Sequence, residues 1–163
     1  MSDTNIFMKI DGVKGEATVI GHIGEIDVLS WQWEMHQDAR GESSHKRATI
    51  ENLQFVQRVN LASSSLLQML LHSKAASEGV LTVLSPNAQA STTPLGKIVP
   101  PKPTLQIFMK RVMVHRIVPY GTAYGHFESV VISFEEFKRE YTPQSIGGAA
   151  CGVASVFYRM CDD

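Results

Sequence analysis

Cysteine is scarce in this chain. Its 163 residues include two, Cys151 and Cys161, which lie ten positions apart near the C-terminal end. A disulfide framework needs several cysteine pairs, and this spacing fits none of the usual zinc-binding patterns. The cysteine content therefore argues against a small disulfide-rich fold and favours a reducing folding compartment.

A strong net charge, a basic leader and a long apolar run are also lacking. The formal net charge is −1, so no overall field attracts nucleic acid or an anionic membrane. Residues 1–9 have no basic start and no apolar core, which predicts no signal peptide of the general secretory type. The longest apolar stretches fall well short of the ~20 residues that a membrane helix needs. We expect a cytoplasmic protein that inserts into no membrane and would leave the cell only by another route.

Apolar sequence is sufficient to bury a core. Hydrophobic residues make up 44% of the chain and charged residues 19%, so one domain spanning residues 1–163 is the expectation. Helical spacing predicts a single helix over 60–74, capped by Asn60 or Ser63. Alternating or aliphatic stretches predict about eight strands, at 6–10, 24–33, 48–57, 80–84, 104–118, 127–134, 137–141 and 153–160. The predicted fold is mainly β, an antiparallel barrel or sandwich with one flanking α-helix.

Two segments between these elements are expected to be exposed. The stretch from His36 to Lys46 is polar, with mixed charges and a glycine, and predicts a long loop suited to docking. Residues 85–103 contain five prolines, which predict a linker with little regular structure.

The most informative segment is the predicted strand from Gly24 to Trp33. Strict alternation places Trp31 and Trp33, the only tryptophans, on one face and Gln32 on the other. The indoles either fill an ordinary core or brace a strand whose reverse face lines a cavity or an interface. The remainder of the strand is partly apolar on both faces, which favours a strand that is covered on both sides.

No catalytic constellation stands out in the sequence. The six histidines are scattered and form no metal-binding pair, and Glu135 and Glu136 point to opposite faces of a strand. The glycines at 12 and 15 lack a Walker lysine, and Cys151 has no visible electropositive neighbour. We therefore predict no enzyme, no catalytic residue, no metal and no cofactor.

Several motifs together resemble one known family. The landmarks are Ile10–Glu16, the Gly24–Trp33 strand, Leu53–Phe55 before the helix, and Val130–Phe134 followed by Glu140-Tyr-Thr-Pro-Gln144. In this combination they resemble the haemolysin-coregulated proteins (Hcp), the tube subunits of bacterial type VI secretion systems. The resemblance spans roughly residues 6–145. The Pro-rich segment 85–103 and the C-terminal segment 149–163 depart from the family pattern.

The resemblance implies a structural subunit of the secretion tube. Members of the family form hexameric rings that stack into a tube, carry effectors in the lumen and are expelled by a contractile sheath. It implies that the partners are other copies of the chain, effectors, and the spike and sheath proteins, and that the protein is secreted without a signal peptide.

Residue roles in such a tube follow from the resemblance for Gln32, and from strand alternation and loop exposure for the others. Gln32 is the candidate lumen and effector contact, or else a plain polar interface residue, and Trp31 and Trp33 are the candidate barrel-core anchors. The ring-stacking candidates are His36, Arg40, Glu42 and Lys46 of the exposed loop. A small-ligand-binding cytoplasmic barrel is the alternative function, and it would require an internal cavity.

Overall fold

The structure, a computed structural model, describes residues 4–37, 48–143 and 152–160. Within these ranges the chain forms thirteen strands and one helix. In chain order they are β1 (Ile6–Ile10), β2 (Ile26–Asp27), β3 (Ser30–Gln32), β4 (Met35–Gln37), β5 (Ala48–Ile50), β6 (Leu53–Arg58), α1 (Leu61–Leu71), β7 (Ala75–Leu84), β8 (Ser91–Thr92), β9 (Ile98–Val99), β10 (Pro103–Thr122), β11 (Gly125–Ser133), β12 (Glu136–Tyr141) and β13 (Ala154–Arg159). The mainly β prediction with a single flanking helix is confirmed.

One antiparallel sheet of nine strands dominates the molecule. Its path runs β2-β1-β7-β10-β11-β6-β3, and β12 and β13 extend it from β10. The two ends of this path, β2 and β3, are consecutive parts of one segment. The Val28 N–H donates to the Ile6 carbonyl (2.9 Å), and the next N–H, of Leu29, donates to the Val56 carbonyl (2.8 Å). The segment therefore hydrogen-bonds to β1 through its first half and to β6 through its second half.

This change of partner corrects the prediction of one continuous Trp strand. Alternation placed Ile26 and Val28 on the opposite face from Trp31 and Trp33. In the structure Ile26 and Val28 are fully buried, and both tryptophans pack against the same core cluster. The chain crosses from β1 to β6 between Val28 and Leu29, and the period-two pattern restarts there.

β10 is the longest strand, and it belongs to two parts of the sheet. Residues Leu105–Lys110 lie between β7 and β12, whereas Met113–Thr122 pair with β11. Arg111 separates these halves with a φ of 53°, and a bulge follows between Val114 and Arg116. Such irregularities bend a strand, which lets one strand serve two differently directed sheet regions.

The core lies on the inner face of this sheet and under the helix. Phe55, Ile107 and Ile132 are among its fully buried side chains. The Asn60 side chain accepts a hydrogen bond from the Ala62 N–H (2.7 Å), and the Asn60 N–H donates to Ser63 Oγ (3.0 Å). Both predicted capping residues thus act together in a capping box. The helix packs Ala62, Leu66 and Met69 inward.

Several short elements differ from the sequence prediction. His36, predicted to lie in an exposed loop, lies instead in β4, which pairs with β5; residues 38–47 of the predicted loop lie outside the described residues. The Pro-rich segment contains the paired strands β8 and β9. β7 starts at Ala75 and β10 extends to Thr122, both beyond the predicted bounds. β4 and β8 are exposed throughout, and β8 and β9 have only two residues each, too few to show a hydrophobic alternation.

Candidate assembly surfaces

Trp33, the residue that follows β3, contacts residues next to β6 and at the start of β12. Its indole N–H donates to the Glu51 carbonyl (2.8 Å). Its ring meets Phe134 and Phe137 edge-on, with centroid distances of 5.5 and 4.8 Å and interplanar angles of 67° and 89°. Trp31 is half-buried and packs against the same core cluster.

Gln32 lies between the two tryptophans in sequence and is exposed. Its Nε2 donates to Gln54 Oε1 (2.9 Å), and Gln54 Nε2 donates to Ser129 Oγ (2.6 Å). These three side chains, one each from β3, β6 and β11, form a hydrogen-bonded line across the outward side of the sheet. We call them the amide row. Sequence reasoning identified Gln32, but its two partners come from distant positions.

A polar cavity of about 360 Å³ adjoins the amide row. Gln32 and Gln54 line it together with Glu34, Glu51 and Asn52. These groups offer amide donors and carbonyl or carboxylate acceptors, so the surface can hydrogen-bond to exposed main chain or polar side chains.

His36 lies close to this cavity. Its Nδ1 is 3.9 Å from a carboxylate oxygen of Glu34 and 3.9 Å from one of Glu51, contacts that become ion pairs if the ring is protonated. The other three stacking candidates, Arg40, Glu42 and Lys46, lie outside the described residues.

A second outward surface lies on β7, β10, β12 and β13. The strand register aligns Val80, Phe108, Lys138 and Phe157 across the four strands. A cavity of about 280 Å³ opens over this row, and we call it the apolar pocket. Phe157 is 63% exposed there, and every residue of β13 is exposed.

The next register row beside the apolar pocket alternates in charge. It runs Glu78, Lys110, Glu136, Arg159 across the same four strands. Arg159 Nε lies 2.8 Å from Glu136 Oε1. Sequence reasoning missed this surface, although the apolar run Val156–Tyr158 in the last strand was a usable signal.

The described ranges contain no cluster of metal-binding side chains. Within residues 4–37, 48–143 and 152–160, no three His, Cys, Asp or Glu side chains are placed to hold a metal ion. No helix of the same ranges is both long enough and apolar enough to span a bilayer.

The comparisons with known proteins identify the family. A family model described as "Type VI secretion system effector, Hcp" matches residues 7–141. The chain belongs to the Hcp family. The resemblance to the Hcp family is thereby confirmed, and the protein is a type VI secretion protein of the Hcp tube type.

Solved Hcp structures share the fold over nearly the whole chain. Hcp1 from Salmonella typhimurium is 27% identical with a TM-score of 0.75, covering 95% of this chain and 93% of that one. A type VI secretion system effector from Yersinia pestis is 24% identical with a TM-score of 0.75, covering 95% and 99%. Hcp3 from Pseudomonas aeruginosa, a secreted protein, is 14% identical with a TM-score of 0.61, covering 96% and 99%. A search of curated proteins found no match.

Proposed function

We propose that six copies of this chain close into a ring, and that the rings stack into the inner tube of a type VI secretion system. The observation that carries the proposal is the family match over residues 7–141. The sheet supports it because it presents two outward surfaces of different character, one polar and one apolar. A ring subunit needs both, one toward the channel and one toward a neighbouring copy.

The apolar pocket and β13 form the proposed subunit interface. An exposed apolar surface of this kind is costly in water and gains free energy when a partner covers it. In a ring of six copies, a neighbour covers the pocket with a different part of its own surface, because pairing the same patch would stop at a dimer. Repeating such a head-to-tail contact closes into a ring when the rotation allows.

The amide row is the proposed channel surface, with Gln32 as its effector contact. Its side chains carry no charge and are already held by one another, so they keep a fixed geometry. Amides both donate and accept, and they can therefore bind varied cargo weakly. Weak binding suits a surface from which cargo must later be released.

The other parts of the proposal follow from family membership. The chain acts as a single tube domain over residues 1–163, is made in the cytoplasm and performs no catalysis. Its partners are effectors in the channel, the spike at the tube end and the sheath outside, with His36, Arg40, Glu42 and Lys46 at the stacking contact. A ligand-binding barrel has less support, because fully buried side chains such as Phe55 and Ile107 occupy the interior.

Electron microscopy of the purified protein tests the ring. We expect annular particles with a central channel for the wild type. Phe157→Asp places a charge in the proposed interface and should abolish the rings while leaving the circular dichroism spectrum unchanged. Tyr124→Asp is the matched control, because Tyr124 is 90% exposed at the tip of the β10–β11 hairpin. Rings from Phe157→Asp at wild-type yield would contradict this interface.

Secretion assays test the channel surface. Gln32→Ala should leave the rings intact and lower the amount of effector that reaches the culture supernatant. Gln89→Ala, at an exposed glutamine of the Pro-rich segment, is the matched control and should behave as wild type. Unchanged effector export by Gln32→Ala would show that Gln32 is not an effector contact.

A further inference from the structure

The middle of the Pro-rich segment, between β8 and β9, forms a hydrogen-bonded turn that exposes one leucine. The Thr93 N–H donates to the Lys97 carbonyl (2.8 Å), the Gly96 N–H donates to the Thr93 carbonyl (2.8 Å), and the Lys97 N–H donates to Thr93 Oγ1 (3.1 Å). Gly96 has a φ of 78°, a conformation that glycine adopts without strain. Leu95, between Pro94 and Gly96, is 96% exposed.

The arm that carries this turn is attached to the body at both ends. Ala88 packs against the small core of Phe7, Ala17 and Leu84. On the return side Pro100 lies so close to Gly21 that a Cβ added to Gly21 would be 2.6 Å from the Pro100 Cβ. Leu95 is therefore offered on a preorganised support, and docking it costs less entropy than docking a leucine on a free loop.

The apolar pocket provides a complementary receptor on the same chain. Val80, Phe108 and Phe157 line it, and its volume of about 280 Å³ exceeds that of a leucine side chain. The Leu95 exposure shows that the turn of one chain does not fill the pocket of that same chain.

A basic residue of the turn is complementary in charge to an acidic residue at the rim of the apolar pocket. At the pocket rim, Glu136 pairs with Arg159 and Lys138 pairs with Glu140. Glu78, also on the rim, is exposed and has no ion pair with another described residue, and the same holds for its cross-strand neighbour Lys110. Lys97, two residues after Leu95, is exposed and likewise has no ion pair within the described part of the chain. An incoming Lys97 would complete the charge alternation around Glu78.

We propose that Leu95 of one copy docks into the apolar pocket of a second copy, with Lys97 pairing to Glu78 there. This inference rests on the proposed self-assembly and assigns the contact between neighbouring copies to the turn and the apolar pocket. The turn and the pocket are different patches of one chain, so the contact is head-to-tail and each copy can both donate and receive. A second copy is favoured over a foreign partner because both complementary parts are present in every chain.

Disulfide trapping tests the contact directly. Cys151 and Cys161 are first replaced by serine, and then Leu95→Cys and Phe157→Cys are introduced in the same chain. Mild oxidation should give a ladder of covalent multimers on a non-reducing gel. A mixture of one chain with Leu95→Cys and another with Phe157→Cys should give heterodimers. Leu95→Cys combined with Tyr124→Cys should give no heterodimer, because the hairpin tip is not at the proposed contact.

Charge reversal tests the ion pair. Lys97→Glu and Glu78→Lys should each weaken self-association severalfold, and the double variant should restore it. Leu95→Asp should weaken self-association about tenfold or more, the loss expected when an apolar side chain can no longer be buried. All these positions are exposed in the single chain, so folding should be preserved.

The outcomes separate this inference from the ring proposal. Annular particles that give no Leu95–Phe157 disulfide would overturn the docking and leave the ring standing. Particles without rings and without the disulfide would overturn both. The cross-link together with rescue by the double charge reversal would establish the contact.

Discussion

Replacing Trp33 by alanine is expected to lower the free energy of unfolding by at least about 3 kcal/mol. The ring makes two edge-on contacts, with Phe134 and Phe137, each worth about 1 kcal/mol beyond burial. The lost hydrogen bond to the Glu51 carbonyl contributes about 1 kcal/mol at most, because water can replace the donor at this half-exposed site. These terms add to about 3 kcal/mol, and the apolar area that the partly buried ring covers adds to them, so the loss lies within the range for a Trp-to-Ala change.

Trp33→Phe separates these terms. Phenylalanine keeps a ring for the edge-on contacts but cannot donate to Glu51, so the expected loss is about 1 kcal/mol. Urea titrations followed by far-ultraviolet circular dichroism measure both variants, since a tryptophan signal would itself change. All chains are compared at one concentration because self-association adds to apparent stability. A loss below about 1 kcal/mol for Trp33→Ala would refute the anchoring role.

Three further stability changes are expected in the same urea assay. Asn60→Ala removes the helix cap and should cost about 1 kcal/mol; an unchanged midpoint would contradict the capping box. Ser73→Gly should stabilise by about 0.5–1 kcal/mol, because Ser73 follows the helix with a φ of 50° and glycine adopts that conformation without strain. Gly15→Ala should cost about 3 kcal/mol or more, because its Cβ would lie 2.2 Å from the Glu25 carbonyl oxygen. Gly152→Ala is the control and should be neutral, since nothing lies within 4 Å of its added Cβ.

The first strand and the start of the helix could be predicted, because each depends on residues that are close together in the sequence. The first strand has the predicted bounds, Ile6–Ile10, and the helix starts after Asn60 as its capping residues indicate. Family membership was also predictable, because its motifs are short and contiguous in sequence. The helix ends at Leu71 rather than at 74, since Ser73 takes a left-handed conformation there.

Features that depend on strand pairing were not predictable. The break at Val28–Leu29 arises because the chain changes hydrogen-bond partner, and no residue there is a marked strand breaker. The amide row joins Gln54 to Ser129 across 75 positions, and only the β6–β11 register brings them together. The apolar pocket likewise depends on the alignment of four strands. Single-strand alternation shows which residues share a face but not which strands lie side by side.

The native mass of the purified protein tests the proposed assembly most directly. Light scattering coupled to size-exclusion chromatography should give a particle of six chains, with larger species where rings stack. The Phe157→Asp protein, folded by circular dichroism, should elute as a single chain. A wild-type protein that stays monomeric at every concentration and salt condition would contradict the ring.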